Sequence, residues 1–242
     1  MGTVTNINKR FNRLVIFLGV FLLSLPAIST GQDSLAKQPS VTRKWQDYVK
    51  QVKDDSTKQM VELKSAIPGL IYDLRYAGTN NFVHRRMYPE NTTTTFLRLP
   101  VVEALAKVQA ELNEQRMGLK IFDGYRPYSV TKKFWELIKD ERYVANPAKG
   151  SGHNRGIAVD LTIVRLKTGA QLDMGTGFDN FSDTAHHDFQ HLHQDIKGNR
   201  LLLKTVMEKY GFKALDTEWW HYYWPETKFE LLDIDFKKLK SL

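Results

Sequence analysis

An aspartate stands in the middle of an apolar strand pattern, IAVDLTIV, at residues 157–164. Because side chains alternate between the two faces of a strand, Asp160 shares its face with Ala158 and Thr162. A carboxylate in such surroundings costs free energy unless another group pairs with it. The fold must therefore bring a partner to Asp160.

His153 is the first candidate partner, because it precedes Asp160 by seven residues and lies beyond Gly156. A bend between Gly152 and Gly156 would return the imidazole to the carboxylate. Since zinc accepts both nitrogen and oxygen ligands, this pair could form half of a zinc site. A structural hydrogen bond between the two side chains is the alternative interpretation.

The aromatic segment EWWHYYW, residues 218–224, contains the second half of the candidate site. Glu218 and His221 would point to opposite faces of a regular strand, but a turn or bulge would bring them together. His221 would then join His153 and Asp160 as a third ligand, and Glu218 would contact a water molecule at the open fourth position. Three protein ligands with one open position are typical of catalytic zinc. A buried strand that carries two polar residues is the alternative.

Strand and helix patterns follow one another without a regular βαβ alternation. We therefore predict a single α+β domain, with a central antiparallel or mixed sheet flanked by helices and the zinc site at the sheet. A long polar loop is predicted at 80–95, and long loops in compact domains are often functional. The segment KGSGHNRG, 149–156, is predicted as a glycine-rich loop. Helices are predicted at 99–116, 129–140 and 199–210, and strands at 67–76, 119–123 and 157–164.

The first 29 residues have the pattern of a secretory signal peptide. Three basic residues precede the apolar run 14–25, and Ala27 and Ser29 supply a small-x-small cleavage site. The run is shorter than the ~20 residues that span a bilayer, so a retained membrane anchor is the less favoured alternative. We predict a periplasmic or secreted protein without stable membrane insertion after cleavage. Its polar, partly helical lead-in would cover 30–65, and its catalytic domain 66–242.

Charge and cysteine content narrow the function further. Removing the three basic residues of the signal peptide lowers the net charge from +8 to +5, and no basic block remains to suggest nucleic-acid binding. The chain has no cysteine, so its stability must come from its hydrophobic core rather than from disulfides.

The motifs together resemble those of the zinc D-alanyl-D-alanine dipeptidase family, the VanX-type enzymes. Its pattern S-x-H-x-x-G-x-A-x-D is matched at 151–160, and its E-W-W-H at 218–221. Three further segments, 76–82, 123–127 and 174–187, are also similar to family segments. The resemblance covers most of the chain after the signal peptide.

The resemblance implies one zinc ion per chain, held by His153, Asp160 and His221. Glu218 would act as general base toward water and then pass the proton to the leaving amine. Arg126 would stabilise the oxyanion that forms on the peptide carbonyl, a role suited to a side chain that is always charged.

The substrate implied by the resemblance is a small D,D-dipeptide with a free amino group. Asp179 and the hydroxyl of Tyr76 are the candidates for binding its ammonium group, and Ser151 is a candidate hydrogen-bonding partner near the metal. Taken by itself, Asp179 is equally well read as a turn residue.

Two other functions remain open at this point. Zinc D,D- or L,D-carboxypeptidases that trim peptidoglycan stem peptides share the metal pattern but usually place proline after the glutamate, whereas this chain has Trp219. A non-catalytic zinc-stabilised binding domain is disfavoured by the presence of both Glu218 and Arg126. The four histidines at 186, 187, 191 and 193 are predicted to form a polar loop rather than a second metal site.

Export bears on the biological role. A dipeptidase that acts outside the cytoplasm would scavenge D-Ala-D-Ala released in the cell envelope rather than deplete the cytoplasmic pool. The sequence leaves the oligomeric state open.

Overall fold

A five-stranded mixed sheet is the centre of the protein, seen in a computed structural model that describes residues 39–226 and 228–241. The strand order is β3-β5-β6-β8-β7, with β3 parallel to β5 and the other neighbours antiparallel. The strands are β1 Val41–Thr42, β2 Met60–Glu62, β3 Ile71–Tyr72, β4 Phe96–Arg98, β5 Met117–Asp123, β6 Ala158–Arg165, β7 Lys213–Leu215, β8 Glu218–Tyr223 and β9 Leu231–Leu232.

Helices flank this sheet, with α3 against β5 and α6 against β7 and β8. The helices are α1 Trp45–Asp54, α2 Leu63–Ala66, α3 Leu99–Glu114, α4 Tyr128–Ile138, α5 Gly152–Arg155, α6 Gln194–Lys209 and α7 Phe236–Leu239, with 3₁₀ turns at Ser56–Lys58, Arg75–Ala77 and Asp183–Ala185. The predicted α+β class with a central mixed sheet is therefore confirmed. Within the described residues, no helix is both long enough and apolar enough to cross a bilayer. The predicted signal peptide lies outside the described residues.

Helix α3 shows why the strongest periodic segment folds as predicted. Pro100 lies in its first turn, where a missing backbone N–H costs nothing. Helix α6 likewise ends just before Gly211, whose φ of +93° favours glycine.

The prediction of a loop at 149–156 is wrong for residues Gly152–Arg155, which form helix α5. The side chain of Ser151 accepts the backbone N–H of His153, and the side chain of Asn154 accepts the backbone N–H of Ser151. These reciprocal bonds form a capping box, which satisfies the exposed donors of a very short helix. The predicted strand at 67–76 is also shorter in the structure, where only Ile71–Tyr72 pairs with β5.

Residues before the family-like motifs are part of the same packing. Strand β1 pairs in parallel with β9, and the buried hydroxyl of Tyr48 accepts the backbone N–H of Met60 at 2.7 Å. The guanidinium of Arg98, fully buried, donates to the backbone carbonyls of Lys58, Arg155 and Glu230. Arg98 thereby joins the segment after α1 and the segment before β9 to the end of α5.

Candidate active site

Strands β6 and β8 place two of the predicted ligands opposite each other. Asp160 pairs directly with His221 in the antiparallel register, so both lie at the same level of the sheet. The Asp160 Oδ1 atom lies 2.8 Å from Nδ1 of His221. Because β6 is buried on both faces, this carboxylate sits deep in the protein, with only 3% of the residue exposed.

Helix α5 brings the third predicted ligand to the same point. Gly156, with φ of +71°, ends the helix and turns the chain back into β6. This turn places Nε2 of His153 3.5 Å from Oδ2 of Asp160. The bend that the sequence predicts between Gly152 and Gly156 is therefore present, in the form of one helical turn.

These three side chains fit a metal ion. One donor atom each from His153, Asp160 and His221 lie within 4.8 Å of one another. The Nδ1–H of His153 donates to the carbonyl oxygen of Gly124 at 2.8 Å, which leaves Nε2 directed to Asp160 and available as a ligand. Two imidazoles and one carboxylate are a donor set typical of catalytic zinc.

Burial keeps both imidazoles neutral, which is the form that binds metal. Desolvation lowers the pKa of His153 well below its ordinary value, and the positive charge of Arg126 lowers it further. Desolvation also lowers the pKa of His221, although the negative charge of Glu218 acts in the opposite direction. Asp160 is buried beside Asp123, so desolvation first and then this like charge raise the pKa of Asp160 well above its ordinary value. A bound cation would remove the cost of charging this carboxylate.

Glu218 lies beside the three candidate ligands because the pairing of β8 with β7 is irregular. Ala214 pairs with Tyr222, whereas the next residue, Leu215, pairs with Glu218, so the register shifts between them. Oε2 of Glu218 consequently lies 4.0 Å from Nδ1 of His221. The irregularity that the sequence required for this pair is present at this point of the strand.

The environment of Glu218 suits proton transfer. Desolvation raises the pKa of Glu218 from 4.5 to about 7, with additional raising contributions from the charges of Asp160 and Asp179. A general base works best when its pKa lies near the operating pH.

Arg126 reaches the same cavity from the segment after β5. Its Nε and Nη2 atoms donate to Oδ2 of Asp123 at 3.1 and 2.7 Å, and its guanidinium lies 5.0 Å from the ring centres of Tyr76 and Phe134. Although burial lowers the pKa of Arg126, the charge of Asp123 raises it well above the ordinary value, so the guanidinium stays charged.

Asp179 is held in an unfavourable conformation with an incomplete set of partners. Its φ is +61°, in the left-handed region that residues other than glycine rarely adopt. Tyr76 donates to its Oδ1 at 2.9 Å, whereas its Oδ2 is buried and has no hydrogen-bond partner within the described residues. Desolvation raises the pKa of Asp179 to about 7, even though the bond from Tyr76 acts in the opposite direction. Such strain is typical of functional positions.

The candidate ligands, the candidate base and Arg126 line one cavity of 280 Å³. The eight residues predicted from the sequence all contribute to its lining: Tyr76, Arg126, Ser151, His153, Asp160, Asp179, Glu218 and His221. Their placement together agrees with the sequence analysis, and their individual roles remain predictions.

A second cavity of 520 Å³ adjoins the first. Phe181 and Tyr143 line both cavities, and their rings meet edge to face with 5.1 Å between centres. These two aromatic side chains therefore lie where the first and the second cavity meet.

Two residues of the site were missed by the sequence analysis. Asp123 holds Arg126, and the hydroxyl of Tyr88 donates to Asp123. The spacing of Asp123 and Arg126 did not signal their contact, because side chains three residues apart meet on a helix, whereas Asp123 ends strand β5. Nothing in the sequence around Tyr88 distinguishes it from the rest of the loop at 80–95.

Comparison with known proteins identifies the same family that the sequence motifs resemble. The peptidase M15 family, described as D-Ala-D-Ala dipeptidase, matches residues 56–239. The D-alanyl-D-alanine dipeptidase of Escherichia coli (strain K12) is 34% identical over 170 residues, which cover 70% of this chain and 86% of that protein. The enzyme of the same name from Enterococcus faecium is 30% identical over 178 residues, covering 66% and 88% of the two chains. A solved LD-carboxypeptidase, LdcB, is 21% identical with a TM-score of 0.38 over 58% of this chain and 64% of that one, a similarity too low to bear on function.

Proposed function

This chain belongs to the peptidase M15 family of zinc-dependent D-Ala-D-Ala dipeptidases, and from that premise we propose that it hydrolyses D-alanyl-D-alanine to two D-alanines with one zinc ion per chain. One observation carries the proposal. His153, Asp160 and His221 converge in a cavity of 280 Å³ that also contains a base, Glu218, and a buried cation, Arg126.

The metal would be held by His153, Asp160 and His221. When bound, zinc supplies Lewis acidity and makes water a nucleophile at neutral pH. The protein keeps both imidazoles neutral by burial, so they need not lose a proton before they bind the metal.

Glu218 is the proposed general base. Its carboxylate lies 4.0 Å from Nδ1 of His221, where it would accept a proton from the attacking water and pass it to the leaving amine. Buried Trp219 and Trp220 adjoin it in the strand and limit the access of bulk water from that side. Positioned acid–base groups of this kind typically contribute a factor of about 10²–10⁴ to the rate.

Arg126 is the proposed stabiliser of the oxyanion that develops on the peptide carbonyl. Arg126 is only 8% exposed, so its charge is little screened by water. Asp123 fixes it from the side of the sheet, which reduces the reorganisation needed when negative charge develops in the cavity.

Asp179 and Tyr76 are the proposed binding site for the substrate ammonium group. The buried Oδ2 atom of Asp179 has no hydrogen-bond partner in the described part of the chain, and an ammonium group would supply one. A substrate whose amino group is part of another peptide bond cannot supply that charge. Phe181 and Tyr143, which line the cavity, would also limit the length of a bound peptide. Ser151 lines the same cavity and could donate its hydroxyl to the substrate, while its oxygen accepts the N–H of His153.

Export is a further part of the proposal. The basic, apolar and small-residue pattern of residues 1–29 supports secretion, and a periplasmic or secreted dipeptidase would scavenge D-Ala-D-Ala from the cell envelope. A reporter enzyme fused to residues 1–35 should be recovered outside the cytoplasm. Recovery of that reporter only in the cytoplasm would contradict this part of the proposal alone.

The decisive experiment is hydrolysis of D-Ala-D-Ala, L-Ala-L-Ala and a pentapeptide that ends in D-Ala-D-Ala, with zinc-loaded protein and a Glu218→Ala control. We expect cleavage of the D,D-dipeptide only, and its loss in the control. Cleavage of the pentapeptide instead would indicate a carboxypeptidase. A zinc-loaded protein that binds the dipeptide without cleaving it would indicate a binding domain.

A further inference from the structure

A buried chain of hydrogen bonds runs from the loop before β4 to the active-site cavity. Tyr88, only 4% exposed, donates its hydroxyl proton to Oδ1 of Asp123, which also accepts the backbone N–H of Gly124 at 3.0 Å. The other oxygen of Asp123 accepts both N–H groups from Arg126. Tyr88, Asp123 and Arg126 are each at least nine-tenths buried, so water cannot easily replace a lost hydrogen-bond partner.

We propose that Tyr88 is a positioning residue for catalysis, because its hydroxyl fixes the carboxylate of Asp123 and Asp123 in turn fixes the guanidinium of Arg126 at the cavity. The inference rests on the proposed function, in which Arg126 stabilises the oxyanion. Tyr88 itself does not line the cavity.

The geometry of the Asp123 carboxylate explains why loss of the Tyr88 hydroxyl would affect catalysis. A carboxylate rotates about its bond to Cβ unless both oxygens are held, because this torsion is broad. Without the Tyr88 hydroxyl, Oδ1 of Asp123 would keep only the N–H of Gly124. Rotation of the carboxylate would then move Oδ2 away from Nε and Nη2 of Arg126, and the guanidinium would lose its two fixed contacts.

Arg126 has few other constraints. Within the described residues, its Nε and Nη2 atoms donate to Asp123, and the Tyr88 hydroxyl adjoins the guanidinium as well. Its remaining contacts are the faces of Tyr76 and Phe134, which allow the guanidinium to slide. The position of its charge in the cavity therefore depends on Asp123, and that of Asp123 on Tyr88.

The first test compares Tyr88→Phe with a matched control, Tyr48→Phe. Both tyrosines are buried. Tyr88→Phe removes the bond to Asp123 and a longer one, of 3.4 Å, to the carbonyl oxygen of Tyr125, whereas the Tyr48 hydroxyl accepts from the backbone of Met60, away from the cavity. Tyr88→Phe keeps the ring, which packs edge to face on Tyr76 and Phe236. We expect kcat for D-Ala-D-Ala to fall about ten- to a hundredfold, since a hydrogen bond to a charged group is worth about that factor.

The division between kcat and KM separates positioning from general damage. Because Arg126 acts on charge that develops in the transition state, we expect KM to change less than about threefold in Tyr88→Phe. Zinc content should equal that of the wild type, and Tyr48→Phe should keep wild-type kcat at the same temperature. A Tyr88→Phe variant with wild-type kcat would overturn the inference, and so would an equal loss in Tyr48→Phe.

A double-mutant cycle tests whether Tyr88 acts through Arg126. In an Arg126→Ala background, Tyr88→Phe should change kcat by less than about twofold, because its target is already absent. An undiminished effect in that background would show that Tyr88 acts by another route and would refute the inference.

A measurement without substrate keeps this inference separate from the proposed function. In protein with ¹⁵N-labelled arginine, the Nε–H signal of Arg126, identified by its absence in Arg126→Lys, should exchange slowly with water. The signal should exchange faster in Tyr88→Phe and remain unchanged in Tyr48→Phe. Should the wild type cleave only longer peptides, the proposed function fails, and the same NMR comparison still decides the role of Tyr88.

Discussion

Replacement of Asp179 by asparagine should stabilise the protein and at the same time weaken substrate binding. The carboxylate of Asp179 has one buried oxygen without a partner in the described residues, and desolvation raises its pKa from 3.8 to about 7. Asparagine has nearly the same shape, accepts the Tyr76 hydroxyl through its oxygen, and tolerates the left-handed φ of +61° at this position. The change therefore removes the charge with little change in packing.

The size of this stabilisation follows from the difference between the pKa of Asp179 in the folded state and its pKa in the unfolded state. Below pH 3.8 the carboxyl group is protonated in both states, so its charge does not affect stability. Between pH 3.8 and about 7 the folded state holds the proton that the unfolded state has lost, and stability falls as the pH rises. Because each pKa unit corresponds to about 1.4 kcal/mol, the total loss at pH 8 is about 4 kcal/mol. Asparagine does not titrate, so its variant should avoid this loss.

Urea unfolding at pH 4, 6 and 8 measures this difference. The protein should be stripped of zinc, because a bound cation would itself stabilise nearby carboxylates. The free energy of unfolding of Asp179→Asn should exceed that of the wild type by an amount that grows by about 4 kcal/mol from pH 4 to pH 8. Asp183→Asn, in the same segment but with a side chain 93% exposed, is the matched control and should show no such growth. A constant difference between Asp179→Asn and the wild type would refute the argument. In zinc-loaded protein, the same variant should bind D-Ala-D-Ala more weakly, seen as a higher KM.

Three other changes test the rest of the site. Glu218→Gln should keep its zinc, measured by atomic absorption, but its kcat should fall by a factor of about 10²–10⁴, because the amide cannot accept a proton. Wild-type kcat in this variant would exclude Glu218 as the base. Removal of zinc with a chelator should abolish hydrolysis, and added zinc should restore it. The His153→Ala variant should bind less zinc, and added zinc should not restore its activity. Full recovery of activity in His153→Ala would remove this residue from the ligand set. Phe181→Ala should join the first and second cavities and raise the rate for a tripeptide ending in D-Ala-D-Ala relative to the dipeptide, with the exposed Leu201→Ala as control. An unchanged ratio would show that Phe181 does not limit substrate length.

Local patterns in the sequence were sufficient for much of the fold. The apolar periodicity from Leu99, with Pro100 in the first turn, predicted α3, and the α+β class followed from the order of such segments. Asp160 in an apolar strand required a partner, which pointed to His153, and the family resemblance supplied Arg126, Ser151, Asp179 and Tyr76. Their convergence depends on strand pairing, which short motifs do not encode.

The errors have identifiable physical causes. Glycines at 150, 152 and 156 suggested a loop, but a capping box between Ser151 and Asn154 stabilises a single helical turn between them. Tyr88 was missed because its importance depends on a contact with Asp123, 35 residues further along the chain. No periodic pattern in the sequence reports a contact of that kind.

The charges around the cavity give one reason why the site would bind both a zinc ion and a substrate that carries an ammonium group. Within the described residues, four buried or half-buried carboxyl groups lie around the guanidinium of Arg126. Asp160, Asp179 and Glu218 line the cavity, and Asp123 accepts from Arg126 behind it. Burial keeps the two imidazoles neutral, so the fully ionised site would carry a net charge of −3 (four negative charges and one positive). A zinc ion contributes +2 and the substrate ammonium group +1, while the substrate's own carboxylate contributes −1, so the sum falls from −3 to −1. Desolvation is the largest cause of the raised pKa values of Asp160, Asp179 and Glu218, and the negative charges of neighbouring carboxylates raise them further. An N-acetylated D-Ala-D-Ala, which lacks the ammonium charge, should therefore bind less well than the free dipeptide, and the difference should disappear in Asp179→Asn.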